Sequence, residues 1–294
     1  RKILVIGDIM LDQNVVGKPQ PLCQDAPTLV LKEMETKYHP SGAAGVASNI
    51  KNMGGQVTLA GVVGKDDEGE TLRRLLNHKD IPAVLGIDST KPTTVKKRIG
   101  TREQLVVRLD REEIGDVSLG IFHDILKLVT LLLEDVKLVS ISDYGNGVVT
   151  RELILTVSEI CQSKNIPVIV DPVGTDFSKY QGVDILKPSF RSIEAMYGRN
   201  ILGIEDLEEA VEYIFNTTHC QACIVSWLES GNTNGVILFH SPKDWIHYPW
   251  PLDRKNSNQS CANDVFMAGL AIAVAQGFSL ESSCRLANET VANL

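Results

Sequence analysis

Six short apolar, β-branched runs punctuate the chain, at Lys2–Ile9, Val57–Val63, Val136–Ser142, Pro167–Asp171, Ala222–Leu228 and Gly235–Phe239. Several are apolar almost throughout, the pattern of parallel strands covered on both faces. Helical spacing lies between them. In Thr150–Lys164 the positions Leu153, Ile154, Val157, Ile160 and Cys161 share one face. Asp206 followed by Glu209 reads as a capping box, and Ser279 with Glu281 as the start of a last helix. Strands alternating with helices predict an α/β fold: a doubly wound, mainly parallel sheet with helices on both faces. No repeat or linker divides residues 1–294, so one domain is expected. Two polar, strand-like segments, 13–40 and 88–112, break the alternation. Within the second, Thr93–Arg98 and Gln104–Leu109 read as strands joined by a tight turn. Such excursions make a small β lid or an oligomer contact, or else a plain edge hairpin.

Composition narrows the function. The 294 residues carry a formal charge of −8 and are 43% hydrophobic. An acidic balance argues against a nucleic-acid or anionic-membrane partner. No apolar stretch reaches the roughly 20 residues that a membrane span needs. Six cysteines in this length are too few for a disulfide scaffold, which makes a reducing cytoplasm the default location. Cys220-x-x-Cys223 has no second pair to complete a zinc site and reads as a buried pair.

The turn after the first strand, Gly7-Asp-Ile-Met-Leu-Asp12, lacks G-x-G-x-x-G, and no G-x-x-x-x-G-K-[ST] occurs anywhere. Nicotinamide dehydrogenases and P-loop enzymes are therefore not expected. The turn offers Asp8 and Asp12 at the carboxyl end of a strand, where ligands of open α/β sheets bind. Carboxylates there suit sugar hydroxyls, or else cap the next segment. Gly42 and Ala43 in Ser41-Gly-Ala-Ala-Gly-Val-Ala-Ser-Asn49 open a helix with small side chains, allowing backbone close to a ligand, with Asn49 in reach of a hydroxyl.

Taken in order, these stretches resemble the ribokinase family of sugar kinases. Within it they look most like the heptose 7-phosphate kinase half of bacterial ADP-heptose synthases. The likeness extends through Lys96-Lys-Arg98, Gln104, Arg108-Leu-Asp110, Ser142-Asp-Tyr-Gly-Asn-Gly147, Asp171-Pro-Val-Gly-Thr-Asp-Phe177 and Ala262-Asn-Asp264. It implies a ribokinase-like fold, ATP with Mg²⁺, and phosphorylation of the anomeric hydroxyl of a heptose 7-phosphate for lipopolysaccharide core synthesis. It implies Asp264 as the catalytic base at a helix N-terminus, with the backbone of Cys261, Ala262 and Asn263 as an anion hole. Asp8, Asp12, Gly42, Ala43, Asn49 and Asp143 would face the sugar. Lys96, Arg98 and Arg108 would hold its phosphate, unless they form only a solvated lid face. Ser189, Ser226, Glu229 and Gly231 would lie beside the nucleotide, and two copies would pair through the lid.

The departures are specific. The family's G-A-G-D carries Cys261 and Asn263 in place of both glycines. Asn263 is expected to serve as the residue that best tolerates positive φ. N-x-x-E becomes Ser189-Phe-Arg-Ser192, T-R-x-E-x-G becomes Ser226-Trp-Leu-Glu-Ser-Gly231, and lysines of two further motifs are Asn146 and Val173. A non-catalytic relative that binds a sugar phosphate or a partner, and a kinase for another sugar, remain open. The sequence ends at Leu294, inside the expected last helix, where the family continues through a further strand and helix.

Overall fold

The structure, a computed structural model, describes residues 2–23, 26, 28–229, 232–249 and 259–292, with the side chains of 227–229, 232–234 and 259–261 excepted. The chain opens with β1 (Lys2–Gly7), β2 (Ile9–Gln20), β3 (Val30–Gly42), α1 (Ala43–Asn52), β4 (Gln56–Gly64), α2 (Asp67–His78) and β5 (Ala83–Asp88). Next come β6 (Thr94–Gly100), β7 (Leu105–Arg111), α3 (Leu119–Leu132), β8 (Leu138–Ser142), α4 (Arg151–Lys164), β9 (Val168–Asp171) and β10 (Ile185–Leu186). The remainder is α5 (Phe190–Tyr197), α6 (Ile204–Thr218), β11 (Ala222–Glu229), β12 (Asn232–Ser241), β13 (Asp244–Pro249), α7 (Gln259–Gln276) and α8 (Leu280–Ala292).

The main sheet runs β13-β12-β11-β10-β9-β8-β1-β4-β5, and only its β11-β12-β13 edge is antiparallel. Alternate residues of β1 serve two cores. Leu4 and Ile6 meet α3, α4 and α6, whereas Ile3 and Val5 meet α1, α7 and α8. Helices thus cover both faces, as the apolar strands require. Cys220 and Cys223 are buried in the first of these cores, and burial pushes their thiols up, as expected of packed side chains.

A second sheet, β3-β2-β6-β7, forms the lid. Its strands alternate in character. Asp12, Asn14, Lys96, Arg98, Arg108 and Asp110 share one face; Val15, Tyr38, Ile99, Val107 and Leu109 share the other.

Three sequence readings shift. The first strand stops at Gly7 instead of running to Ile9, because the chain turns at Asp8 into the lid. Helix α6 begins at Ile204, so Asp206 lies in its first turn, where its carboxylate accepts the Leu202 N–H at 2.9 Å. Strands β5, β10 and β13 were not expected; β10 is only two residues long. Thr150 and Ser279 do cap their helices, accepting the Leu153 and Ser282 N–H groups.

Candidate active site

Four parallel strands end beside one another and deliver polar groups to the same place. Asp8 follows β1, Tyr144 follows β8, Asp171 closes β9 and Lys187 follows β10. Helix α7 crosses this edge with Asn263 and Asp264. Crevices beyond the carboxyl ends of parallel strands are where open α/β sheets bind ligands.

Asp264 is only 6% exposed. Tyr144 Oη donates to its Oδ1 at 3.3 Å. Burial, with the Asp171 charge beside it, pushes the Asp264 carboxyl up to about 8; Tyr144 and Lys187 oppose the rise. Its Oδ2 lies against α1 where that helix has Gly45. A methyl group built on Gly45 would meet Oδ2 at 2.4 Å. The absence of a side chain there is what admits the carboxylate.

Asn263 links two buried charges. Its Nδ2 donates to Asp171 Oδ2 at 2.6 Å, and its Oδ1 accepts from Lys187 Nζ. Lys187 is 1% exposed, and its ammonium also faces the Phe266 ring at 5.8 Å from the centroid. Burial pulls the Lys187 ammonium down while Asp171 and Asp264 hold it up. Burial raises the Asp171 carboxyl, against Lys187 and the Asn263 amide.

Cys261, Ala262 and Asn263, expected as an anion hole, lie near the N-terminal end of α7. Helix α7 begins at Gln259, so Ala262 and Asn263 are already helical, and Asp264 lies in the second turn instead of at the mouth. In a helix each N–H bonds the carbonyl four residues earlier, which commits the Asn263 and Asp264 amides internally. Asn263 is also absent from the positive-φ residues of the described chain, so the expected left-handed turn is not formed. The physical reason lies in the departures. Without glycines, Gln259-Ser-Cys-Ala-Asn263 lacks the residue that most readily leaves right-handed helix. The Cys261 side chain lies outside the described residues.

Asp8 and Asp143, expected to face the sugar, both have partners within the protein. The Asp8 carboxylate accepts the N–H groups of Tyr144 (2.8 Å), Asn146 (3.1 Å) and Val148 (3.1 Å), shaping the loop that sets Tyr144 on Asp264. Asp143 accepts from Gly145 N–H at 2.9 Å, Tyr180 Oη at 2.8 Å and Lys179 Nζ. Asp12 retains capacity: its Oδ2 pairs with Arg98 Nη1 at 2.8 Å, while its buried Oδ1 has no partner among the described residues.

Gly42 caps α1 at its N-terminal end with φ of 62°, where a Cβ would strike the Asp8 carbonyl oxygen at 2.5 Å. The Ala43 N–H is spent on that same carbonyl at 3.0 Å. Asn49 lies four residues beyond Gly45 on the same helical face, one turn further from Asp264.

Lys96, Arg98 and Arg108 share one face of the lid sheet, and each already has a carboxylate. Lys96 bonds Glu112 at 2.5 Å and Asp110 at 3.3 Å, and Arg108 grips Asp110 with two 2.8 Å bonds.

Of the residues expected beside a nucleotide, Ser189 caps α5. Its Oγ accepts the Ser192 N–H at 3.1 Å and lies 2.7 Å from Ser192 Oγ. Two hydroxyls bonded to each other supply no carboxylate, so this pair does not fit the role of a metal ligand. Among the described residues no group of three or more His, Cys, Asp or Glu could hold a metal ion. Magnesium commonly relies on substrate phosphates rather than a protein cage. Ser226 lies in β11 opposite Val236. The Glu229 side chain and Gly231 lie outside the described residues.

Sequence reasoning gave no role to Lys187. Its only signal is a lysine directly after an apolar pair and before Pro188, and a two-residue strand is too short to announce itself. Asp171 and Tyr144 stood in recognised motifs without an assignment.

The model of the pfkB family of carbohydrate kinases matches residues 1–292. A curated relative, the bifunctional protein HldE of Shewanella baltica, is 33% identical over 289 residues, covering 98% of this chain and 58% of the relative. HldE of Shewanella putrefaciens is 34% identical over 290 residues with the same coverage. The chain therefore spans little more than half the length of these relatives. Among solved structures, the tetrameric inhibited form of Escherichia coli phosphofructokinase-2 aligns at a TM-score of 0.78 and 19% identity, covering 99% of this chain and 92% of that one. A carbohydrate kinase from Agrobacterium tumefaciens aligns at 0.70 and 16%, over 99% and 90% of the two chains. The ribokinase-like architecture agrees with both, and the chain belongs to the pfkB family of carbohydrate kinases.

Proposed function

We propose that the chain transfers the terminal phosphoryl group of ATP, carried as its Mg²⁺ complex, to a hydroxyl of a sugar phosphate. The first candidate acceptor is the anomeric hydroxyl of a heptose 7-phosphate, by analogy with the HldE relatives. The observation that carries the reading is Asp264, a buried carboxyl held up to about 8 beside Asp12, whose Oδ1 has no partner among the described residues. A general base near neutral pH, next to an unsatisfied acceptor, matches what a sugar hydroxyl needs.

In this scheme Asp12 Oδ1 accepts one hydroxyl and orients the ring. The reacting hydroxyl gives its proton to Asp264 while its oxygen attacks the phosphoryl group. Tyr144 occupies Asp264 Oδ1, which leaves Oδ2 for that proton. Phosphoryl transfer needs mainly alignment and charge stabilisation. The N-terminal end of α7 contributes its dipole. Arg98, Lys96 and Arg108 take the acceptor's phosphate by exchanging it for Asp12, Asp110 and Glu112.

The lid's far face carries Leu109 at 53% exposure and Val107 and Tyr38 at 41% each. An apolar sheet face of this kind supports a homodimer formed lid to lid.

The test is direct product detection with Mg·ATP and a panel holding heptose 7-phosphate, fructose 6-phosphate and unphosphorylated sugars. Turnover confined to heptose 7-phosphate is the expected result. Turnover on another member would reassign the acceptor, and no turnover on any would overturn the reading.

A further inference from the structure

Two carboxyls, Asp171 and Asp264, are buried together, at 9% and 6% exposure. Like charges in a desolvated place cannot both ionise without compensation. Among the described residues, the groups acting on Asp264 are Tyr144 after β8, Asp171 at the end of β9, Lys187 after β10 and Asp12 on β2, and helix α1 meets its Oδ2 at Gly45. Lys187 is the one cation among them.

Its bonding is directional. Because Lys187 Nζ can only donate, Asn263 must present Oδ1 to it, which turns Nδ2 toward Asp171. The ammonium thereby fixes the orientation of the side chain immediately before Asp264. A lysine that served packing alone would leave its head group at a surface, since the long stem favours reaching water. This one is enclosed completely.

We propose that Lys187 is a positioning residue for phosphoryl transfer: through Asn263 it locks the start of α7, and its charge lets Asp264 ionise beside Asp171. The proposal rests on Asp264 being the base. It goes further in naming the group that makes such a base usable, and it assigns Asn263 a side-chain role in place of the expected backbone one. With one ammonium between two carboxyls, the cluster retains a proton near neutral pH, and loss of that proton readies Asp264.

The test reads the Asp264 carboxyl directly. Its C=O stretch in infrared difference titrations is identified by its loss in Asp264→Asn, with no substrate present. In Lys187→Met the midpoint is expected to rise by about one pH unit, the usual scale of a nearby opposite charge. Lys187→Gln keeps a donor for Asn263 without the charge and should shift similarly, which covers the case in which the methionine variant fails to fold. Lys187→Arg should restore the midpoint. The acid limb of kcat/KM should move in step. An unchanged midpoint in Lys187→Gln, or equal shifts in the glutamine and arginine variants, would overturn the proposal. Wild-type turnover on the sugar-phosphate panel reports separately on the kinase reading, so the two failures are distinguishable.

Discussion

Replacing Asp264 with Asn should remove a pH dependence from the stability of the fold, and the size of the effect can be worked from the site. The carboxyl rises from 3.8 to about 8. At ~1.4 kcal/mol for each pH unit, charging it in the folded chain costs on the order of 5 kcal/mol more than in the unfolded chain. At 6% exposure little solvent screening reduces this, though relaxation and entering water take part of it. The folded state binds the extra proton, so the contribution is fully present below about pH 4 and is lost as pH rises through 8. Asn has nearly the same shape, can accept from Tyr144 through its Oδ1, and does not titrate. In urea denaturation at pH 5, 6, 7, 8 and 9, the variant should gain on the wild type by about 2–4 kcal/mol between pH 5 and 8, then level off. That is a large part of a typical total of 5–15 kcal/mol. Curves that stay parallel within about 0.5 kcal/mol would show that Asp264 is not held protonated by burial, and the reasoning would fail.

Arg98→Ala leaves Asp12 without its 2.8 Å partner and removes one lid cation. It should weaken sugar-phosphate binding roughly ten- to a hundred-fold by calorimetry, with ATP affinity little changed; equal losses for both ligands would count against the lid assignment. Gly45→Ala puts a methyl group 2.4 Å from Asp264 Oδ2. Turnover should fall at least tenfold while stability drops by about 1–3 kcal/mol, the usual cost of overpacking; unchanged turnover would mean that Oδ2 does not receive the proton. Leu109→Glu, placed on the apolar face of the lid, should convert a dimer to monomer in sedimentation, and an unchanged mass would move the interface elsewhere.

The sheet was legible because its strands are buried on both faces and read as continuous apolar runs; β1 and β8 needed nothing else. Strands β10 and β13 were not, since one is two residues long and the other is largely exposed. The lid cations Lys96, Arg98 and Arg108 came to notice only through the family resemblance. Their carboxylate partners Asp110 and Glu112 could not be weighed without register. The same limit applied to Asp8 and Asp143. A carboxylate after a strand looks alike in sequence whatever partners the fold gives it, and only the folded loop shows them. Asp264 and Asn263 were singled out by motif, but their partners Lys187 and Asp171 were given no role. Lys187, Asn263 and Asp171 lie 76 and 92 residues apart in the two bonded pairs, and nothing local in the sequence joins them.

The central claim is that Asp264 is the base of a sugar-phosphate kinase. Its most direct test is the rate of heptose 1,7-bisphosphate formation from Mg·ATP and heptose 7-phosphate for wild type and Asp264→Asn, with product detected directly. The expected result is steady wild-type turnover whose kcat/KM rises with pH through about 8, and a loss of about 10²–10⁴ in the variant. Near-normal turnover in Asp264→Asn, with the same pH profile, would contradict the account.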